Sequence, residues 1–235
     1  SSSGRMQQAS PSEAMVAAPV PLPDMSHLTS ADFDKVYEPS DDSFLLVDAL
    51  AAEAAGLRER AAGVCMEVGC GSGCVVTHLA KLLPPHSALM LAGDVNPEAL
   101  AATAATARRN GAAVQPVQMD LLSALRPGLV DVLVFNPPYV PTSEDELEHA
   151  LEHADISAAW AGGPRGRLVL DRLLPQLGRL LSPCGVFYLL GVRENAPDEI
   201  ATLLGQQGFA ARTVAERRAQ NERLFVMCFT RESTS

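Results

Sequence analysis

The sequence predicts an α/β fold: a mostly parallel, seven-stranded sheet with helices on both faces and a final strand running antiparallel to the rest. Three observations carry this expectation. Short apolar runs alternate with segments of helical periodicity from residue 64 onward, a cluster of glycines stands where the first strand must turn into a helix, and the last two strand-like runs follow one another with no helix between them. The chain has 235 residues, 47% of them apolar, enough to fill the core of one domain.

Residues 1–31 are rich in Ser, Pro and Ala without periodicity and read as a disordered tail, whose opening Ser1-Ser2-Ser3-Gly4-Arg5 looks like a vector-derived scar. Residues 32–235 form the folded domain. Phe44, Leu45, Leu46, Ala49, Leu50 and Leu57 recur at helical spacing, which predicts a helix over 42–60 capped by Asp41 or Asp42. Residues 64–68 read as a buried strand ended by glycines, and 75–83 as a helix stopped by Pro84-Pro85. Strand 89–94, helix 97–110 closed by Gly111, strand 114–119 and strand 130–135 continue the alternation. The polar stretch from Pro141 to about Gly163 is too long for an ordinary connection, which marks it for substrate handling. A helix over 166–181, a strand over 185–192, a helix over 197–207 and a hairpin-like pair near 210–215 and 224–230 complete the domain.

The formal net charge of -10 argues against a surface that tracks phosphates, because a duplex binder gains most of its affinity from Lys and Arg on the backbone. Direct nucleic-acid binding is therefore disfavoured. No run reaches the ~18 apolar residues needed to span a bilayer, and no charged-then-apolar start marks a secretory signal; a soluble intracellular protein with no membrane partner is expected. Cys65, Cys70, Cys74, Cys184 and Cys228 are odd in number and read as reduced thiols of the cytoplasm or nucleus. Cys70, Cys74 and His78 stand at short spacings, but no CxxC pair exists and no metal site is expected.

Glu67-Val68-Gly69-Cys70-Gly71-Ser72-Gly73 places glycines where backbone N–H groups must approach a nucleotide-like ligand without obstruction by Cβ. A dinucleotide fingerprint asks for glycine at the sixth position of the run, where this chain has Cys74. The pattern G-x-G-x-G instead resembles the first motif of class I methyltransferases, whose cofactor is S-adenosylmethionine. Asp94, 21 residues beyond Gly73 at the end of the next strand, is placed to accept both ribose hydroxyls; the alternative is a cap for the helix opening at Asn96-Pro97. Asp120, with the backbone of Leu121, would accept from the adenine amine, or would cap a turn. Tyr37-Glu38-Pro39 and the segment from Asp42 would fold over the cofactor, Ser43 offering its hydroxyl to the methionine carboxylate; on physics alone this is a capped helix.

Asn136-Pro137-Pro138-Tyr139 follows the fourth strand, at the sheet edge from which doubly wound folds present ligand chemistry. Two prolines stiffen the backbone and remove two donors, leaving carbonyls to accept. The Asn136 side-chain oxygen and the Pro137 carbonyl can together accept both hydrogens of a substrate NH2, with Tyr139 as a face for a flat group. An amide nitrogen is a poor nucleophile, and two accepted hydrogen bonds push electron density back onto it. Orientation toward a sulfonium methyl then supplies much of the acceleration without a strong base.

Together with Ala159-Trp160-Ala161-Gly162-Gly163 ahead of Gly166-Arg167, these segments resemble the HemK-like protein glutamine N5-methyltransferases, most closely the eukaryotic and archaeal release-factor branch, from about Val36 to Phe229. The resemblance implies a class I methyltransferase Rossmann-like sheet and a reaction on the glutamine of the Gly-Gly-Gln motif of a class I translation release factor. It implies a cofactor site of Tyr37, Ser43, Glu67, Gly69, Gly71, Gly73, Asp94, Val95, Asp120, Leu121 and Asn136. It places the substrate on Asn136, Pro137, Pro138 and Tyr139, the first two and Tyr139 acting in catalysis. It also implies a heterodimer with a small zinc-binding activator subunit of the tRNA-methyltransferase activator type, seated on an apolar sheet edge at 114–119. Protein lysine, as in histones, and adenine N6 are the alternative targets. Family members often carry Glu and Thr where this chain has Asp41 and Ser43, which bears on fine cofactor contacts. The acidic run from Glu144 to Glu148, with Glu152 and Asp155, reads as a solvated face or as a surface for a basic substrate. Trp160 is expected to pack under Gly162-Gly163 and anchor the loop.

Overall fold

The computed structural model describes residues 19–60, 63–143, 145, 146, 148, 159–219 and 222–232. A short helix α1 (Ser30–Phe33) precedes α2 (Asp41–Ala52) and α3 (Ala54–Glu59). The alternating body follows as β1 (Val64–Val68), α4 (Cys74–Leu82), β2 (Leu89–Asp94), α5 (Pro97–Arg109), β3 (Val114–Gln118) and β4 (Val130–Phe135). Helical pieces α6 (Leu168–Leu173) and α7 (Leu177–Leu180) lead to β5 (Leu181–Val192), then α8 (Pro197–Gly205), β6 (Phe209–Ala219) and β7 (Glu222–Arg231).

The sheet runs in the order β3-β2-β1-β4-β5-β7-β6. Its first five strands are parallel, and β7 is antiparallel to both β5 and β6, so the expected seven strands and antiparallel closing strand are present. Strand β4 shows why the body is buried on both faces. Val132 and Val134 join the cluster under α2 and α4, with Leu46, Leu50, Val76 and Leu79. Leu133 and Phe135 join the opposite cluster, with Leu170, Leu173, Leu177 and Ile200. A strand covered twice reads as an unbroken apolar run.

Three expectations change. The helix foreseen over 42–60 is two helices parted at Glu53, whose carboxylate accepts from Arg212 Nη1 at 3.0 Å and from the Tyr188 hydroxyl at 3.3 Å. The helix foreseen over 166–181 is broken by 3-10 turns at Pro164–Gly166 and Leu174–Gln176, the second containing Pro175, which has no N–H to continue the ladder. Strand β5 starts at Leu181 rather than 185, with an irregular register against β4 between Val130 and Val132.

The disordered tail proposed over 1–31 gives way at residue 19. Asp24 N donates to Asn110 Oδ1 at 2.8 Å, Asn110 Nδ2 returns a bond to Asp24 O at 2.9 Å, and Arg109 Nε donates to Asp24 Oδ2 at 2.7 Å. These contacts pin 19–31 to the end of α5. Residues 1–18, with the scar, lie outside the described residues, as do Glu144, Leu147, Glu152 and Asp155 of the acidic run. Strand β3 does form an edge, but Gln115 and Gln118 are its exposed residues, so it presents backbone groups and amides to a partner in place of the expected apolar surface.

His78 on α4 is buried, and neither ring nitrogen reaches a hydrogen-bond partner. Burial pulls its pKa below the ordinary 6.5, the nearby Pro21 carbonyl opposing it in part. The folded state thus holds the ring neutral while the unfolded chain takes up a proton. This group's contribution is complete above pH 6.5 and is lost as the pH falls from there toward the folded value. His78→Leu is expected to flatten the acid-side loss of stability and to raise stability at neutral pH by about 1 kcal/mol, through removal of unpartnered polar atoms. Denaturant unfolding between about pH 5 and pH 8 measures both effects; an unchanged pH slope would count against the assignment.

Candidate functional site

The strand order changes direction between β1 and β4, and doubly wound sheets bind ligands at such a point. Val68 stands opposite Phe135 in register, so the glycine turn after β1 and the Asn136 turn after β4 leave the sheet at one level, side by side. Above them opens a cavity of about 1090 Å³, lined by both turns, the ends of β2 and β3, Tyr37, Asp42, Ser43 and Trp160.

On the β1 side, Gly69 N and Cys70 N both donate to Gly93 O, which ties the turn to β2. Gly69 and Gly71 line the cavity. Gly73 does not border it: with φ +79°, it lies so near α5 that a Cβ would stand 2.7 Å from Thr103 Cα. Its service is close packing of α4 on α5, an indirect support of the turn.

Two carboxylates flank these glycines. Glu67 is buried, and its Oε2 accepts from Val76 N at 2.8 Å in the first turn of α4; burial drives its pKa well up, with the charge of Asp94 adding to the rise. Asp94 Oδ1 accepts from Asn96 N at 2.9 Å and Oδ2 from Gly71 N at 3.2 Å. Burial raises its pKa against the pull of those backbone donors. The cap of α5 is Asn96 itself, accepting from Glu98 N, which leaves Asp94 further lone pairs toward the cavity. Val95, 61% exposed, offers an apolar wall beside it. Asp120 also borders the cavity but is ion-paired with Arg172. Leu121 sits at φ +53°, a strained backbone for a leucine.

The β4 side holds a less local arrangement. Asp42, at the start of α2, is 2% exposed and accepts from Ser43 N at 2.6 Å, Ser43 Oγ at 3.1 Å and Ser40 Oγ at 3.0 Å, all at Oδ1. Its Oδ2 accepts from Asn136 Nδ2 at 3.0 Å. An ionised carboxylate only accepts, so the Asn136 amide must turn its NH2 to Asp42 and its oxygen away. That oxygen, Asn136 Oδ1, is buried and has no partner within the protein. Ser43 lines the cavity with its single hydroxyl hydrogen engaged by Asp42. Burial and the charge of Asp42 lift the Tyr37 hydroxyl to about 12 and push Tyr139 higher still, so both remain protonated.

The rim is held from behind. Gly166, at φ +65°, lies where a Cβ would overlap Tyr139 O, and a Cβ on Gly162 would stand 2.5 Å from Pro138 O. Asn195 is 2% exposed; its Nδ2 donates to Tyr139 O at 2.8 Å and Arg165 O at 2.9 Å, while its Oδ1 accepts from Val192 N at 2.8 Å. Trp160 does not pack beneath the glycines as expected; it is 40% exposed and borders the cavity.

Tyr37, Ser43, Glu67, Gly69, Gly71, Asp94, Val95, Asp120, Leu121, Asn136, Pro137, Pro138 and Tyr139 are therefore brought together around one cavity, Gly73 standing behind it. Sequence reasoning missed Asp42 as the partner of Asn136, reading it as a cap, and missed Asn195, whose only local signal was a position before Ala196-Pro197. Among the described residues the cavity's two cations, Lys35 and Arg172, are paired with Glu98 and Asp120. Asp42, Glu67 and Asp94 thus have no cationic partner there, and a positively charged ligand with a diol fits the acceptors left to it.

Residues 41–170 match the family model described as methyltransferase small domain. Mouse methyltransferase HEMK2 is 47% identical over 222 residues, 92% of this chain and 100% of that protein. The eRF1 methyltransferase catalytic subunit mtq2 of Schizosaccharomyces pombe is 37% identical over 91% of this chain and 95% of that protein. Among solved structures, the chain is similar to the E. cuniculi Mtq2-Trm112 complex responsible for methylation of the eRF1 translation termination factor, with TM-score 0.64 and 27% identity over 84% of this chain and 99% of that one.

Asn195→Ala removes the partner of four backbone groups at once, Val192 N and the carbonyls of Tyr139, Arg165 and Gly166, and is expected to cost about 2–4 kcal/mol of stability, read as a lower midpoint of denaturant unfolding. Asn195→Asp, which keeps the acceptor for Val192 N, should lose the contact to Tyr139 O alike; near-native stability in both variants would show that the rim is held some other way.

Proposed function

The chain belongs to the methyltransferase family of HEMK2 and Mtq2, and from that premise we propose that it methylates the side-chain amide nitrogen of a glutamine, the one in the Gly-Gly-Gln motif of a class I translation release factor such as eRF1. The observation that supports this reading best is the Asn136 amide, fixed through Nδ2 to Asp42 and left with a buried, unpartnered Oδ1. A buried acceptor without a donor is costly. The hydrogen of a planar NH2 satisfies it, and the carbonyl of Pro137, next in the chain, is the natural acceptor for the second hydrogen.

S-adenosylmethionine, the proposed cofactor, supplies an electrophilic methyl on a positively charged sulfur. Asp94 would accept its ribose hydroxyls, Val95 and Leu121 would flank its adenine, and Glu67 would face its amino group across the glycine turn. Asp120 would reach the adenine amine only by sharing its carboxylate with Arg172.

For the transfer, Asn136 and Pro137 hold the amide nitrogen and draw its hydrogens away, which returns electron density to the lone pair. Tyr139 and Pro138 confine the amide plane, and Asp42 keeps the Asn136 oxygen aimed. Both tyrosine hydroxyls stay protonated, so neither serves as a base; orientation carries the acceleration, and the methylated nitrogen gives up one of its two hydrogens to water. The net charge of -10 supports a protein over a nucleic acid as the acceptor.

A heterodimer with a small zinc-binding activator of the Trm112 type accords with a free edge at β3. A release factor is met in the cytoplasm, which the chain's free cysteines suit; an additional nuclear pool would serve the histone alternative.

With the complex, eRF1 and labelled cofactor, mass spectrometry should place the methyl on the glutamine nitrogen; label on lysine alone would reject the reading. Asn136→Ala is expected to lower kcat by about 100-fold to 1000-fold while cofactor affinity, measured by calorimetry, stays within about threefold. Asp42→Asn lets the Asn136 amide turn either way and should lower kcat by about tenfold or more, again with little change in cofactor binding.

A further inference from the structure

We propose that Trp160 grips the peptide chain beside the methyl-accepting side chain, and so selects a polypeptide over a free amide. This deepens the function proposed above and rests on its choice of a protein acceptor.

Trp160 is the chain's single tryptophan. It borders the cavity that holds Asn136 and yet is 40% exposed, so its indole stands at the mouth, partly on the cavity and partly on solvent. Leaving so large an apolar group in water forgoes stability that burial would return.

The backbone beneath the indole is firmly placed. Trp160 O accepts from Val140 N at 3.1 Å, Ala161 pairs with Val140 in a parallel bridge, and Gly162 N donates to Val140 O at 2.8 Å. Val140 directly follows Tyr139, so the indole is carried on the same rim as the amide-holding turn, one ladder step away. The close approach of Gly162 to Pro138 O and of Gly166 to Tyr139 O locks that rim from the other side.

The volume agrees with a second occupant. At about 1090 Å³ the cavity lies at the upper limit of sites for small ligands, ~1000 Å³. Gly69, Gly71, Asp94 and Val95 account for the cofactor end, leaving the part between Tyr139 and Trp160 for the acceptor. An exposed indole at that end suits an extended peptide, whose flat amide units stack on it without a particular side chain. A free glutamine amide would fill the Asn136 end and leave Trp160 untouched.

The test compares wild type, Trp160→Ala and Trp160→Phe, each in complex with the activator subunit, on eRF1, on short glutamine and lysine peptides, and on N-acetylglutamine amide. Trp160→Ala is expected to raise KM for the polypeptide acceptor about tenfold, the equivalent of ~1.4 kcal/mol. Trp160→Phe should recover most of it. Turnover at saturation, cofactor affinity and the low activity on N-acetylglutamine amide should stay within about twofold of wild type in both, and the melting temperature should be unchanged. An unchanged KM for polypeptide, or an equal loss on the free amide, overturns the proposal; so does a parallel loss of cofactor affinity, which would make the indole a wall of the cofactor site. If wild type labels only lysine, the glutamine reading fails, and the same comparison on the lysine peptide still decides the role of Trp160.

Discussion

One hydrogen bond, from Asn136 Nδ2 to Asp42 Oδ2, sets the chemistry of this fold. Its partners are separated by 94 residues of chain, one at the start of α2 and the other at the end of β4. An asparagine amide presents either a donor or an acceptor depending on a half-turn of one torsion, and the two faces have opposite uses at a site that must receive an NH2. The Asp42 carboxylate removes the choice. Much of the surrounding structure keeps it in place: two serines saturate its other oxygen, and Arg217 and Arg212 tie α2 to β6 through Asp48 and Glu53. The sheet order then brings β4 next to β1, so the Asn136 turn and the glycine turn border one cavity.

The body of the fold was legible because its strands are covered on both faces. Val64–Val68, Leu89–Asp94 and Val130–Phe135 are bounded as their apolar runs predict. What escaped prediction depends on partners far away in sequence. The carboxylate at the Glu53 joint meets Arg212, and the segment 19–31 is held by Asp24 meeting Arg109 and Asn110. A run of Pro, Ser and His has no periodicity to reveal that. The same limit governs the site. Asp94 and the Asn136-Pro137-Pro138-Tyr139 turn announce themselves by spacing from a strand. Asp42 does not, because a carboxylate ahead of a helix already has a sufficient local explanation as a cap. Asn195 likewise reads as a residue before a helix, while in space it binds the carbonyl of Tyr139.

The distribution of charge in the cavity gives a further reason for its choice of ligand. Burial raises the pKa of Glu67 and of Asp94, and Asp94 adds to the rise at Glu67; the fold therefore spends stability to keep unpaired carboxylates together. Structural ion pairing would have been the simpler solution. Arginine and lysine do border the cavity, but Asp120 and Glu98 engage them at its rim, and the inner carboxylates are left to the ligand. A cationic ligand recovers the cost, since its charge enters where the field is already negative. With the proposed S-adenosylmethionine, a cation, the inner carboxyl groups favour binding.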